Sequence, residues 1–391
     1  MRIHSFSFQD RSTGWQLEET TFDPFNLLVG VSGVGKTKIL RALEQVRSAI
    51  QPSAPGLPSD VEWTMRFEHE GHRYRWHAVF VEPAQGDVED EQPRRMNRMG
   101  RGHGPGAHFQ REEVDLDDVE LVRQDGGVFR FKGADLPKLN PSESALALLS
   151  GEAEVARAAT GLKSVTDHRA LGSLDVFAGT SSTDARVFSG LRRGSMSLPA
   201  IQQSPYSDIM LRTYMLQEAL PEQWRDVRET FASIFPTVED LRIARFDRSV
   251  GGRVSAQFIL LLRERGASDW IVGADVSGGM RRVLATILGL RLTPPGSVIL
   301  IDEFENSLGK NCLPALVDLI LESAPQMQFI ITSHHPYVIN NIPISEWKLV
   351  QRRGSAVRVR SARDVPALQR ASHFDAFDRL LNLPEFDEGI T

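Results

Sequence analysis

Gly30-Val31-Ser32-Gly33-Val34-Gly35-Lys36-Thr37 fits the pattern GxxxxGK[ST], and its surroundings leave few folds open to the chain. Before it, Phe25 to Val29 is an apolar run without polar alternation, as in a strand buried on both faces. After it, Ile39, Leu40, Leu43 and Val46 recur at helical spacing over Lys36 to Ile50. A strand, a glycine-rich loop and a helix in that order form an anion cradle. The backbone from Gly30 through Ser32, Gly33, Val34 and Gly35 turns its amides around a β-phosphate, and the helix start adds its positive dipole end. Lys36 neutralises the β/γ oxygens, and the Thr37 hydroxyl is placed to ligate Mg²⁺.

Other segments carry chemistry of the same kind. Val298-Ile299-Leu300-Ile301 reads as a central strand, with Asp302 and Glu303 at its C-terminal end, where open α/β sheets place ligands. Asp302 is expected in the Mg²⁺ shell and Glu303 as the base that polarises an attacking water. Asp275-Val276-Ser277-Gly278-Gly279-Met280 precedes a helix whose buried face is expected at Met280, Val283, Leu284, Ile287 and Leu288. Ser277 can cap that helix, and Ser277, Gly278 and Gly279 make a second anion site. Phe329 to Thr332 is another buried strand, followed by Ser333-His334-His335-Pro336, from which His334 can offer a hydrogen bond to a γ-phosphate.

Between these motifs the period changes. Val61, Trp63, Met65 and Phe67 alternate on one face, and Tyr74, Trp76, Ala78 and Phe80 on another, across a turn at Gly71. Leu121 to Arg123 and Val128 to Lys132 repeat the pattern, so antiparallel hairpins with an aromatic core stripe are expected. Ala84 to Arg111 is acidic and then Gly/Arg-rich, and is expected to be a flexible loop. Helical signals dominate from Ser144 to Ser233, the clearest being Pro221 to Phe235, with Trp224, Val227, Phe231 and Ile234 on one stripe. A strand pair is expected at Val238 to Phe246 and Val254 to Leu262. Strand and helix then alternate, as in a parallel sheet with crossovers, and a short helix is expected near Phe377 to Leu381.

Composition limits the classes. The 391 residues carry 45 basic and 51 acidic side chains, a formal charge of −6, which disfavours a surface that coats nucleic acid throughout. One cysteine, Cys312, excludes an internal disulfide and a multi-thiolate zinc site. No apolar run at the N-terminus resembles a signal peptide, and none elsewhere is long enough for a membrane span, so a cytoplasmic protein is expected. His69 and His72 flank a hairpin turn and read as solvated. Arg192-Arg193, Arg281-Arg282 and Arg352-Arg353 are candidates for a modest nucleic-acid or partner surface.

In this order, the phosphate loop, the VSGGM segment, VILIDEFENSLG and ITSHHP resemble the ABC-type ATPase heads of the SMC, RecF and OLD (overcoming-lysogenization-defect) group. VSGGM resembles the signature LSGGQ, VILIDEFENSLG a Walker B strand with its D-loop, and ITSHHP the switch of the OLD-like prokaryotic branch. The resemblance implies an α/β P-loop ATPase with a mixed central sheet, an antiparallel hairpin lobe and a helical lobe. The corresponding division is 1–143, 144–236 and 237–391. It also implies two heads that enclose two ATP with Mg²⁺. Ser277 and Gly279 would then contact the γ-phosphate held by the opposite protomer, and Asn306, Ser307 and Leu308 would line the seam.

The departures are specific. Met280 replaces the signature glutamine, Gly309 stands where transporter D-loops have Asp, and Asn140 to Ser144 offers no Q-loop glutamine. No long heptad stretch supplies an SMC arm, and the residues after His335 are too few for the TOPRIM nuclease domain of OLD proteins. These features favour a regulatory ATPase that controls a separate effector, a nuclease or toxin in bacterial antiviral defence. The alternative is a RecF-like DNA-repair ATPase with ATP-gated DNA binding. A binding module with a structural nucleotide is disfavoured by intact Lys36, Asp302 and Glu303.

Overall fold

The computed structural model describes residues 1–51, 57–82, 106–167, 177, 181–184, 196–204, 208–250, 253–306 and 308–369. The chain begins with β1 (Arg2–Asp10), β2 (Trp15–Thr21), β3 (Phe25–Val29) and helix α1 (Lys36–Ser48). Six strands follow: β4 (Val61–His69), β5 (His72–Val81), β6 (His108–Leu116), β7 (Val119–Asp125), β8 (Val128–Phe131) and β9 (Ala134–Asp135). Helices α2 (Ala145–Leu148) and α3 (Ala153–Lys163) lead to β10 (Val165–Asp167) and β11 (Ser181–Asp184). Next come β12 (Val238–Val250), β13 (Arg253–Glu264) and β14 (Ile271–Val272). The last strands are β15 (Val298–Ile301), β16 (Gln328–Thr332), β17 (Trp347–Arg353) and β18 (Ala356–Ser361).

Two compact units form. The first holds Met1–Thr166, Gly296–Asp302 and Met327–Thr391; the second holds Asp167–Pro295 and Glu303–Gln326. The first is built on a mixed sheet in the order β10-β15-β16-β3-β17-β18-β2-β1-β4-β5-β6-β7-β8-β9. β15, β16, β3 and β17 run parallel, and the first three of them are buried along their whole length. That is why their sequences are mostly apolar; the polar residues among them are paired, Asn26 Nδ2 donating to the Phe329 carbonyl and Gln328 Nε2 to the Ile3 carbonyl. From β1 through β9 the pairing is antiparallel.

In β4 and β5 the expected alternation holds: Val61, Trp63, Met65 and Phe67 point inward opposite Phe80, Ala78, Trp76 and Tyr74. Trp63 and Trp76 meet edge to face at 5.2 Å, so this stripe is core. The expected loop from Ala84 to Arg111 needs correction at its end. His108–Arg111 belongs to β6, and Phe109 is fully buried with its ring 5.1 Å from Phe80. Residues 84–105 of that segment lie outside the described residues, as does the helix expected near Phe377. Leu146, Val155, Ala158 and Leu162 of α2 and α3 share a core with Trp63 and Met65, which puts these helices in the first unit.

In the second unit, the helix Pro221–Ile234 buries Trp224, Val227, Phe231 and Ile234, as its spacing requires. The β12–β13 hairpin is longer than its apolar pattern, because pairing continues through Arg248↔Ser255 to Val250↔Arg253. The helix Gly278–Leu292 buries Val283, Leu284, Ile287 and Leu288, while Met280 in its first turn is only half-buried. Among the described residues, no helix is long and apolar enough to cross a membrane.

Candidate active site

The phosphate-loop segment leaves β3 and enters α1 directly. A Cβ on Gly30 would lie 2.6 Å from the Val350 carbonyl, so only glycine fits there. Gly35, with φ of 113°, is the residue before α1 and has no side chain with which to cap the first amides of that helix. Val34 is buried and anchors the loop, while Ser32 and Gly33 are exposed. Lys36 is only 5% exposed, and its Nζ donates to the carbonyls of Gly30 at 2.6 Å and Val31 at 3.0 Å. The cation is therefore held at the mouth of the loop.

Asp302 stands one residue past β15. Its Oδ1 accepts from Thr37 Oγ1 at 3.0 Å and from Thr332 Oγ1 at 2.8 Å. β16 lies between β15 and β3, in parallel register with both, and Thr332 is its last residue. The sheet thus brings the three oxygen-bearing side chains to one edge. Hydroxyl and carboxylate oxygens are the hard donors that Mg²⁺ takes, so this set fits the ion expected there. Among the described residues no cluster of three His, Cys, Asp or Glu competes with it.

Glu303 is exposed and has φ of 48°, a left-handed conformation rare for a residue with a side chain. The Asn306 amide donates to the Glu303 carbonyl at 2.8 Å, and Asn306 Nδ2 to Oε2 at 3.4 Å. Such strain gathers at functional positions. The structure also separates the two adjacent histidines. His335 Nδ1 accepts from the Tyr337 amide at 3.2 Å and caps the helix Pro336–Asn341, whereas His334 is exposed just past β16.

Ser277 is exposed and its Oγ accepts from the Met280 amide at 3.2 Å, so it is the N-cap of its helix. Gly278 and Gly279 form the first turn. Arg281 reaches back from that turn and donates to the carbonyls of Gly273, Ala274 and Val276 at 2.8 to 3.0 Å. It braces the approach to Ser277. Arg192 and Arg193 lie outside the described residues, as does Ser307; Asn306 is exposed and Leu308 half-buried.

Of the histidine pair only His69 needs correction, since the His72 side chain stays 39% exposed. The His69 side chain is 14% exposed and packs against Gly161, and burial holds its pKa below the ordinary value. His72 bonds Asp117 Oδ2 at 2.9 Å. In place of a Q-loop, Ser144 is fully buried and caps α2. Thr332, Arg281 and the role of Asn306 toward Glu303 escaped the sequence reading. Thr332 has one signal there, a hydroxyl ending a buried strand beside the Asp-Glu strand.

Residues 171–340 match a family model described as "AAA domain, putative AbiEii toxin, Type IV TA system". The match contains Ser277, Asp302, Glu303 and His334, and does not extend to the phosphate loop. Among solved structures, an SMC head bound to the C-terminal winged-helix domain of ScpA aligns with a TM-score of 0.50 at 13% identity, over 92% of this chain and 97% of that one. The fold is that of an SMC head. The SMC head domain of Thermotoga maritima aligns with a TM-score of 0.42 at 12% identity, over 92% of this chain and 99% of that one. A Pyrococcus furiosus SMC head with an extended coiled coil, bound to the C-terminal domain of ScpA, gives 0.42 at 13% identity, over 97% and 99%. No curated protein matches the sequence.

Proposed function

We propose that this SMC-head fold binds and hydrolyses ATP as an ABC-type head. The observation that carries the reading is the convergence of Thr37 and Thr332 on one oxygen of Asp302. Thr37, from the phosphate loop, and Asp302 would hold Mg²⁺, which when bound offsets charge on the phosphate oxygens. The loop amides and the start of α1 hold the β-phosphate, and Lys36 swings from the Gly30 and Val31 carbonyls onto the β/γ oxygens. Glu303 accepts a proton from the attacking water. His334 donates a hydrogen bond to a γ-phosphate oxygen.

Ser277, Gly278 and Gly279 act on the nucleotide of a second copy, with Asn306 and Leu308 at the seam of a homodimer. The exposed cap with two glycines behind it, braced by Arg281, supports that role. The output is control of a separate effector, a nuclease or toxin in antiviral defence. Support comes from the toxin-antitoxin wording of the matched family and from SMC heads that bind a protein partner. The proposed setting is the cytoplasm.

A mixing experiment tests the composite site. Lys36→Ala and Ser277→Arg proteins should each be inactive alone, because every site in either dimer carries a lesion. Mixed, one site of the heterodimer carries both lesions and the other none, so part of the ATPase activity should return. A mixture that stays inactive although heterodimers form would refute action in trans. Normal turnover by Ser277→Arg alone would leave Ser277 as a helix cap only.

A further inference from the structure

The hairpin β17–β18 touches the phosphate loop at three points. At its base Leu349 pairs with Val29, and the next carbonyl, that of Val350, closes on Gly30. At the far strand, Val357 Cγ2 lies 3.2 Å from where a Cβ on Gly35 would stand. Between these, Arg352 Nη1 donates to the Gly33 carbonyl at 3.4 Å, across 319 residues of sequence. Its Nε donates to the Gly354 carbonyl at 2.7 Å. That second bond ties the rigid guanidinium to its own turn, so the planar fork reaches Gly33 already oriented.

Gly33 is exposed, with open space among the described residues within 4 Å of where a Cβ would stand, and its φ is +86°. The Arg352 bond fixes the direction in which its carbonyl points. A trans peptide is planar, with C=O and N–H pointing in opposite directions. A donor that holds the Gly33 oxygen outward turns the Val34 N–H the other way, into the cradle.

We propose that Arg352 is a positioning residue of the phosphate loop: by holding the Gly33 carbonyl it keeps the Val34 amide aimed at the bound phosphate. The C-terminal hairpin thereby sets nucleotide affinity. This rests on the nucleotide reading given above.

The test uses the full chain with Arg352→Ala and Arg352→Gln. Affinities for Mg·ATP and Mg·ADP are measured by calorimetry, and amide exchange over residues 30–37 is measured without nucleotide. In Arg352→Ala both affinities should fall by about tenfold and by the same factor, as for a lost bond that acts on the amide facing the β-phosphate. Exchange over 30–37 should quicken, with the melting temperature of the nucleotide-free protein unchanged. Arg352→Gln, which keeps a donor, should lose less. Wild-type affinity for both nucleotides in the Ala variant would overturn the proposal. A loss confined to ATP would also overturn it, since it would mean direct contact with the γ-phosphate. If the wild type binds neither nucleotide, the functional reading fails. Exchange then decides the tether by itself, and unchanged rates in Arg352→Ala overturn it.

Discussion

Thr37 Oγ1 and Asp302 Oδ1 are 3.0 Å apart although 265 residues separate them in the chain. The contact follows from strand order. β3, β16 and β15 lie side by side and parallel, so the chain leaves β3 and β15 at the same edge of the sheet. Ligands gather at that edge in open α/β sheets. Thr332 ends the strand between and donates to the same oxygen, which fixes the carboxylate from two sides.

Removing either side of this arrangement should separate metal effects from nucleotide effects. Asp302→Asn is expected to abolish the gain in nucleotide affinity on adding Mg²⁺, with metal-free affinity retained. Thr332→Val keeps the shape and deletes one donor to a charged oxygen, so hydrolysis should fall roughly tenfold. Calorimetric titrations with and without Mg²⁺ check the first and a phosphate-release assay the second; an unaltered Mg²⁺ dependence in Asp302→Asn would remove the carboxylate from the metal site.

Lys36→Ala should abolish nucleotide binding and also lower stability slightly. The ammonium satisfies the Gly30 and Val31 carbonyls, and losing such a bond costs about 1 kcal/mol. Lys36→Met keeps much of the stem packing, so it should melt closer to wild type while binding no better than Lys36→Ala. Thermal melts beside nucleotide titrations read out both effects.

The left-handed backbone of Glu303 predicts opposed effects on stability and turnover. Glu303→Gln should keep ATP binding and slow hydrolysis by several orders of magnitude, through loss of the proposed base. Glu303→Gly should be equally slow, yet relieve a strain of about 1 kcal/mol and raise the melting temperature above that of Glu303→Gln. Equal melting temperatures would show that the strain is relieved elsewhere.

Glu112 predicts a pH dependence. It is fully buried and accepts from Trp76 Nε1 at 2.9 Å, Ser144 Oγ at 2.5 Å and the Ala145 amide at 2.6 Å. Burial pushes its pKa up to about 6, more than those hydrogen bonds pull it down. The folded protein therefore binds the proton more tightly than the unfolded chain. This contribution is fully present below about pH 4.5 and is lost as pH rises through 6, a change of about 2 kcal/mol. Subtracting the stability–pH curve of Glu112→Gln should isolate it; a difference that grows with rising pH would contradict the assignment.

The sequence by itself determined the elements that a single segment encodes. The runs Phe25–Val29, Val298–Ile301 and Gln328–Thr332 are buried strands because apolar residues dominate both of their faces. The alternation of β4 and β5 assigns their inward faces, and the eight residues from Gly30 to Thr37 specify a loop that opens a helix. What a segment pairs with is not written in it. β6 begins inside a stretch that reads as loop, because Phe109 is one buried ring among Gly and Arg, and its burial depends on Phe80 across the sheet. His334 and His335 are identical side chains, and the cap that occupies His335 exists only because the turn points it at the Tyr337 amide. Arg281 and Arg352 read as surface charge until folding sets backbone carbonyls within their reach. Periodicity is a local property of burial, whereas a hydrogen bond between distant residues exists only once the sheet has fixed which strand ends lie together.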